Sequence, residues 1–218
     1  LVAHRDERGQ PLPDRLIRDE LITLFFAGSE TTALVLSWGC FLLASHAPIA
    51  DQARRGIQAE VDSVSRPANA PDAPQLPLLT SIVRETLRLY PPSWVVGREA
   101  LEPCRVGGFD CRPGDTFLIS QWVLHRHPRF FDQPERFDPD RWNDPALRTL
   151  PSFSYFPFGG GPRACPGKSF AELAAVQALA TVVQRCRIDL VDERGVQPQA
   201  SITLQPKGGI QAAVTLIA

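Results

Sequence analysis

The sequence predicts a mainly α-helical fold with small β-sheets, and two patterns lead to this fold class. Long apolar runs with helical spacing occupy the first 90 residues and return after residue 165. Between them lie short β-like pieces that are separated by Gly and Pro turns. With 218 residues the chain can bury one sizeable core, and we predict that residues 1–218 belong to a single domain.

The first predicted helix starts at Asp14, which follows a proline and suits an N-cap, and it ends near residues 47–48. Between residues 21 and 44 only Glu30 is charged, so this run is also long enough to cross a bilayer. The cluster AGSETT at 27–32 places a carboxylate and hydroxyls at its centre, where a membrane span tolerates charge least. We therefore favour a buried central helix of a soluble protein over a membrane span.

The next elements are predicted from apolar spacing and from prolines. A second helix covers about residues 49–64, and the segment SRPANAPDAPQLP that follows is too polar and too broken to pack. Residues 78–90 repeat apolar side chains at helical intervals, and Pro91 with Pro92 ends this third helix.

The second half of the chain contains the predicted strands and one more helix. Short strands are expected in WVVGREA (94–100), CRVGGF (104–109) and TFLIS (116–120) because turn residues separate these pieces. The last helix runs over about 166–185 with a proline at its first position, and residues 201–217 predict a closing β-hairpin.

Composition and cysteine usage exclude several classes of protein. The formal net charge is −1 and the basic residues, almost all arginine, are scattered, so nucleic-acid partners are not expected. The cysteines are odd in number and lack C-x-x-C spacing, which argues against a disulfide framework or a zinc site and favours a reducing compartment. They are Cys40, Cys104, Cys111, Cys165 and Cys186. The chain lacks methionine and begins at Leu1 in a charged stretch, so we interpret it as the downstream part of a longer protein.

One acid–base pair lies on the third predicted helix. Glu85 and Arg88 are three residues apart and share a helical face. Most such pairs are exposed and weak, but the apolar neighbours of this pair favour burial, and a buried pair needs further partners. Arg136 and Arg141, in the irregular stretch FFDQPERFDPDRW, are the candidates.

The loop PFGGGPRACPGKSF, residues 157–170, surrounds Cys165 with turn residues. It ends like a phosphate-binding P-loop, but Pro162 replaces the required glycine and cannot donate a backbone hydrogen bond, so a nucleotide-binding function is disfavoured. A nucleophilic cysteine would need a base such as His125 or His127, and no orienting group accompanies either. A thiolate at a helix start is electrostatically stabilised. A thiolate that has no other protein ligands beside it suits a metal whose remaining ligands come from a cofactor, such as haem iron.

Together these motifs resemble the C-terminal half of a cytochrome P-450 haem-thiolate monooxygenase over essentially the whole chain. The loop fits F-x-x-G-x-R-x-C-x-G, AGSETT fits A-G-x-[DE]-T, ETLR fits E-x-x-R, and FDPDRW is similar to the P-E-R-F segment. The resemblance predicts the C-terminal portion of that fold. The sequence departs from the family at Asp140, Trp142 and Ala174, which are peripheral to the chemistry.

The resemblance also implies roles for individual residues. Cys165 would be the axial ligand of haem b, and Glu30 with Thr31 would deliver protons to dioxygen. Glu85, Arg88 and Arg141 would form a buried structural network, with Arg136 as the second choice for its third member. The remaining implied cofactor contacts are Ala27, Gly28, Phe158, Gly159, Gly161 and Gly167, with the arginines Arg163 and Arg98 pairing with the haem propionates. An exposed place at a strand edge is the alternative for Arg98.

The same resemblance implies a function. Trp94, Val95, Val96 and Ile202 would line a pocket for a lipophilic substrate, into which one oxygen atom from dioxygen is inserted. Electrons would come from a ferredoxin with its reductase or from a flavoprotein reductase. A haem-thiolate peroxygenase or an isomerase-type relative is the alternative. The upstream half would complete the pocket, and the arginine and alanine bias favours a bacterial cytoplasmic protein, with an upstream membrane anchor left open.

Overall fold

The computed structural model describes residues 3–5, 7, 9–60, 70–192 and 195–217 and confirms the mainly helical fold class. The α-helices in this part of the chain are α1 (Asp14–Ser45), α2 (Ala47–Glu60), α3 (Pro77–Leu89), α4 (Gln121–Leu124) and α5 (Lys168–Arg185). The strands are β1 (Val96–Glu99), β2 (Cys104–Val106), β3 (Phe109–Cys111), β4 (Thr116–Ile119), β5 (Cys186–Leu190), β6 (Pro198–Ala200), β7 (Leu204–Pro206) and β8 (Ala212–Leu216).

Helix α1 differs in burial between its two halves. Pro13 occupies the N-cap and Asp14 lies in the first turn, so the predicted cap residue was wrong by one position. The helix is long and apolar enough to cross a membrane by length and composition. However, its second half is buried in the protein core, with Trp38 and Leu42 among the buried residues, while residues 14–30 are almost entirely exposed.

The core forms where helices α1, α2, α3 and α5 meet. Trp38, Ile57, Ile82 and Leu179, one from each helix, are fully buried. Burying such side chains stabilises the fold by ~1.5–3 kcal/mol each. Helices α1 and α5 approach closely at Gly39, where a Cβ would lie 2.9 Å from Leu179 Cδ1. Helix α3 of this core also packs against the 3₁₀-helix Pro139–Asn143 in the second half of the chain.

The described residues form four two-stranded antiparallel sheets, which pair β1 with β4, β2 with β3, β5 with β8, and β6 with β7. The three predicted strand pieces are confirmed, but the predicted closing hairpin is wrong. Residues 201–217 contain β7 and β8, which pair with β6 and β5 rather than with each other. A turn follows β7 at Lys207 and Gly208, and Gly208 and Gly209 have φ of 73° and 83°. Turn residues show where a chain bends, whereas the partner of each strand depends on which edge lies nearby.

Two further sequence predictions are corrected. The proline-rich segment packs in part, because Ala70–Gln75 forms a 3₁₀-helix whose Asp72 and Ala73 are buried; residues 61–69, including the predicted end of the second helix, lie outside the described residues. Helix α5 starts at Lys168 with Gly167 as its N-cap, so the predicted start at residue 166 was two residues early. Pro166 lies in the preceding turn.

Candidate active site

The cysteine loop holds Cys165 at the protein surface, just before α5. The backbone N–H of Cys165 donates to the carbonyl of Phe158 at 2.9 Å, which closes the loop. Gly159 and Gly161 have φ of 70° and 68°, a conformation that glycine adopts without steric cost. At Gly167 a Cβ would lie 3.8 Å from Cys165 Sγ, in ordinary contact. The side chain of Cys165 is exposed on this fixed loop.

Aromatic side chains line the depression in which Cys165 lies. Phe153, Phe156 and Phe158 contribute to its wall together with Ala164 and Lys168. Phe153 is 57% exposed, and its ring occupies the place that a Cβ at residue 160 would need, which explains the glycine there. A thiol in a mostly apolar, open depression is accessible to a flat apolar ligand.

The first half of α1 carries a second group of predicted site residues. Thr31 Oγ1 donates to the carbonyl of Ala27 at 2.7 Å, and both residues lie on the same side of the helix, four positions apart. Gly28 is exposed, and a Cβ built there would meet nothing within 4 Å. Phe25 and Phe26 are each 70% exposed. This segment therefore presents an apolar surface that the described residues leave uncovered.

Glu30 forms contacts that the sequence did not predict. Its Oε1 accepts a hydrogen bond from Thr203 Oγ1 at 2.7 Å and another from Gln205 Nε2 at 2.8 Å. Gln205 Nε2 also lies 3.1 Å from Thr203 Oγ1. The signal was available: Thr203 and Gln205 are two residues apart in a strand-like segment, so they point to the same side.

The acid–base pair on α3 is fully buried and richly bonded. Glu85 Oε1 and Oε2 accept from Arg88 Nη2 and Nε at 2.8 and 2.9 Å, and both side chains have 0% exposure. Arg141 Nε, the backbone N–H of Asp138 and Trp142 Nε1 donate to the same carboxylate at 2.9, 3.1 and 3.1 Å. Charge-assisted hydrogen bonds of this kind offset the cost of removing the ions from water.

The arginines of this network also hold residues 132–143 in place, a stretch that was predicted to be irregular but ends in the 3₁₀-helix Pro139–Asn143. Arg88 donates to the carbonyls of His125, Pro134 and Arg136 at 2.9, 2.6 and 3.1 Å. Arg141 donates to the carbonyl of Asp132 at 2.9 Å. The structure thus brings Glu85, Arg88 and Arg141 together, whereas Arg136 contributes its carbonyl and keeps its side chain exposed.

His125 connects this network to the cysteine loop. Its Nε2 accepts from the backbone N–H of Phe156 at 3.0 Å, while its carbonyl accepts from Arg88. Burial, reinforced by the charge of Arg88, lowers the pKa of His125 to about 3, so the ring is neutral at physiological pH. A neutral, bonded ring is a structural link and not the base of a nucleophilic cysteine.

The predicted substrate residues gather around the β6–β7 hairpin. Trp94 Nε1 donates to the carbonyl of Ser201 at 2.8 Å, which places the segment before β1 against this hairpin. Ile202 is 96% exposed in the bend between the strands, and Val95 and Val96 are half-buried. These apolar side chains form an open surface and not an enclosed pocket in the described residues.

The two arginines predicted to bind propionates are both exposed. Arg98 lies in β1, where its Nη1 donates to the carbonyl of Gly97 at 2.7 Å, and Arg163 ends the 3₁₀-helix Gly161–Arg163. Within the described ranges neither guanidinium has a carboxylate partner at salt-bridge distance, and both can therefore bind an acidic ligand. The structure does not bring the two into contact with each other.

Trp142 is a structural residue, although its place in the motif suggested a peripheral one. The family motif that this segment resembles has phenylalanine at this position. The indole N–H of Trp142 donates to Glu85, and its ring packs on Tyr155 at a centroid distance of 4.6 Å. Tyr155 donates in turn to the carbonyl of Arg84 at 3.0 Å. The signal was the change itself, because tryptophan adds a donor that phenylalanine lacks.

The residues present fit a haem. The described residues contain no cluster of three or more His, Cys, Asp or Glu side chains able to hold a metal, so an ion at Cys165 needs its other ligands from a cofactor. The exposed thiol, the aromatic wall beside it and the arginines without carboxylate partners match a macrocycle with an apolar face and two acidic side chains. Cys165 would be its single protein ligand.

Comparisons with known proteins agree with this geometry. The family model described as Cytochrome P450 matches residues 1–212. The chain is 39% identical over 205 residues to cyclooctatin synthase of Streptomyces melanosporofaciens, covering 93% of this chain and 44% of that protein. It is 36% identical over 206 residues to pentalenene oxygenase of Streptomyces avermitilis, covering 94% and 45%.

Solved structures give the same result. A retinoic acid-bound cyanobacterial CYP120A1 aligns with a TM-score of 0.88 and 30% identity, covering 99% of this chain and 49% of that structure. A zebrafish cytochrome P450 with progesterone aligns with a TM-score of 0.83 and 27% identity, covering 98% and 48%. The chain thus spans about half the length of the proteins that it matches.

Proposed function

Because the chain belongs to the cytochrome P450 family, we propose that its residues form the haem-thiolate part of a monooxygenase and that the Cys165 thiolate would hold the haem iron. One observation carries this proposal: Cys165 is exposed in an aromatic-lined depression, on a loop that is closed by its own backbone. When bound, a haem with such a ligand supplies dioxygen activation, because the thiolate donates electron density that favours O–O cleavage.

The protein residues around the thiolate fix its position. Hydrogen bonds run from Glu85 through Arg88 to His125, and from His125 to Phe156 in the depression wall. This continuous, buried connection resists displacement of the loop. We infer that the E-x-x-R pair orients Cys165 and takes no part in proton or electron transfer.

Glu30 and Thr31 are the proposed proton-delivery residues. The overall reaction converts a C–H bond, dioxygen, two electrons and two protons into a hydroxyl group and water, so protons must reach a largely apolar pocket. A carboxylate and an adjacent hydroxyl on an apolar helix can relay them. Thr31 Oγ1 donates to the carbonyl of Ala27, four residues earlier, and so holds a defined position.

The proposed substrate is lipophilic and the proposed electron donor is a ferredoxin with its reductase or a flavoprotein reductase. The open apolar surface of Trp94, Val95, Val96 and Ile202 supports the first proposal, as do relatives named cyclooctatin synthase and pentalenene oxygenase. A bacterial cytoplasmic location is proposed from the composition. Arg98 and Arg163 would bind the propionates.

We also propose that activity needs the upstream half of the domain. Phe25, Phe26 and Phe170 are 70%, 70% and 76% exposed, which is unusual for large aromatic side chains unless another surface covers them. Residues 1–218 expressed alone should therefore bind haem weakly. Tight, stoichiometric haem uptake by this chain alone would contradict the proposal.

A spectroscopic experiment tests the ligand assignment. The reduced CO complex of the full-length protein should show the red-shifted Soret band of thiolate ligation. Cys165→Ala should abolish this band, whereas Cys104→Ala, which changes an exposed cysteine elsewhere, should keep it. A parent protein without the band, or a Cys165→Ala variant with it, would refute the assignment.

A further inference from the structure

We propose that Thr203 and Gln205 are positioning residues that hold the Glu30 carboxylate for proton delivery, an inference that rests on the proposed function. Both side chains donate to Oε1, at 2.7 and 2.8 Å. In the part of the chain that the structure describes, Oε2 has no donor. The carboxylate is therefore fixed through one oxygen and free to exchange a proton or bind water through the other.

The two donors flank an anchored residue: Thr203, itself 8% exposed, immediately precedes β7 (Leu204–Pro206), and Gln205 lies within that strand. Leu204, between them, is 3% exposed; its N–H donates to the carbonyl of Pro92 at 3.0 Å and its carbonyl accepts from the buried Trp38 Nε1 at 3.0 Å. The buried Leu204 fixes the backbone between the two donors, and from this backbone both side chains reach Glu30 Oε1. Their position toward Glu30 is therefore set by the core.

Without these donors the carboxylate would lose its orientation. Glu30 lies on an exposed stretch of α1, and an exposed glutamate samples several rotamers at little cost. A shared contact on one oxygen restricts it to rotamers in which Oε1 faces the hairpin. This restriction is what a relay needs, because proton transfer requires donor and acceptor within hydrogen-bond reach.

The same hairpin carries a proposed substrate residue. Ile202 precedes Thr203 and is 96% exposed, and the preceding carbonyl, of Ser201, accepts from Trp94 at 2.8 Å. A lipophilic molecule that contacts Ile202 therefore touches the segment that holds Glu30. Because Ile202 and Thr203 are adjacent in the chain, substrate contact and the positioning of Glu30 involve neighbouring residues.

The test uses the haem-loaded full-length protein with a surrogate reductase. We would measure NADPH consumption, peroxide release and the solvent isotope effect for Thr203→Val, Gln205→Leu and Glu30→Gln. The Val and Leu variants should release severalfold more peroxide per NADPH and shift the isotope effect in the same direction as Glu30→Gln. Thr203→Ser should restore the parent isotope effect, because it keeps the hydroxyl. Thr149→Val, which removes an exposed hydroxyl elsewhere, should change nothing.

A second measurement does not depend on turnover. In urea unfolding, Thr203→Val and Glu30→Ala should shift the midpoint non-additively, since either change removes the same hydrogen bond. Additive shifts, or an unchanged isotope effect in Thr203→Val when Glu30→Gln changes it, would overturn the inference. A parent protein without the thiolate CO band would refute the proposed function and the proton-delivery role with it. Non-additive midpoints would still support the hydrogen bond itself.

Discussion

Two glutamates in this chain lie in opposite environments, and the difference indicates which one supports the fold and which one is available for chemistry. Glu85 is fully buried and accepts five hydrogen bonds shared between its two oxygens. Glu30 is exposed and, within the part of the chain that the structure describes, accepts two, both at Oε1. A carboxylate whose lone pairs are all occupied by protein donors can only support the fold. One with a free oxygen remains available to water, a proton or a ligand.

The largest expected effect is at Glu85. Glu85→Gln replaces a carboxylate with an amide whose NH₂ group faces arginine and indole donors, leaving two guanidinium groups poorly compensated in the interior. We expect a loss of ~3–5 kcal/mol in the free energy of unfolding. Urea unfolding of the full-length protein measures it. A loss below ~1 kcal/mol would show that the network is not a structural requirement.

Arg141 and Arg136 form a matched pair for the next test. Arg141→Ala removes a side chain that donates to Glu85 and to the carbonyl of Asp132, so we expect a loss of ~1–3 kcal/mol. Arg136→Ala removes an exposed side chain and should change the free energy of unfolding by less than ~0.5 kcal/mol. Equal losses in thermal or urea unfolding would contradict the assignment of Arg141 as the third member.

His125 predicts a pH dependence of stability. The unfolded residue protonates below pH 6.5, whereas in the fold its pKa is about 3, so the unfolded chain binds more protons between these values. The free energy of unfolding should therefore fall with decreasing pH across this window, by up to ~1.4 kcal/mol per pH unit from this group. Above pH 6.5 its contribution should be constant.

The comparison that isolates this histidine uses His125→Gln, which keeps an acceptor but cannot titrate. Urea unfolding of both proteins between pH 4 and 8 gives the difference in slope. The variant should show the shallower loss of stability in acid. Identical slopes would mean that His125 is not held neutral by the fold.

The smallest effect on stability is expected on the exposed half of α1. Phe25 is 70% exposed, so Phe25→Ser should change the unfolding free energy of residues 1–218 by less than ~0.5 kcal/mol. In the full-length protein the same change should weaken haem retention, because it removes part of the apolar surface of α1 that the upstream half is proposed to cover. Dialysis against apomyoglobin, followed by the Soret band, measures haem loss. No change in haem loss would contradict the proposed covering of this surface.

Much of the fold could be predicted from local patterns. The limits of α3 followed from helical spacing and from Pro91, and the short strands followed from Gly and Pro turns. The family resemblance is confirmed by a match over residues 1–212. The pairing of β5 with β8 could not be predicted, because Cys186 and Leu216 lie far apart in the chain and no local pattern links them.

The amino-acid sequence by itself determined which chemistry this chain can carry: a single cysteine in a glycine loop, an acid and hydroxyl on an apolar helix, and an E-x-x-R pair. Tertiary structure decided what each group can do, because burial and hydrogen-bond partners come from residues far apart in the chain. Trp142 reaches Glu85 across 57 positions, and Thr203 reaches Glu30 across 173. Contacts between residues so far apart in the sequence cannot be predicted from a local pattern. These contacts decide which carboxylate supports the fold and which one remains available for chemistry.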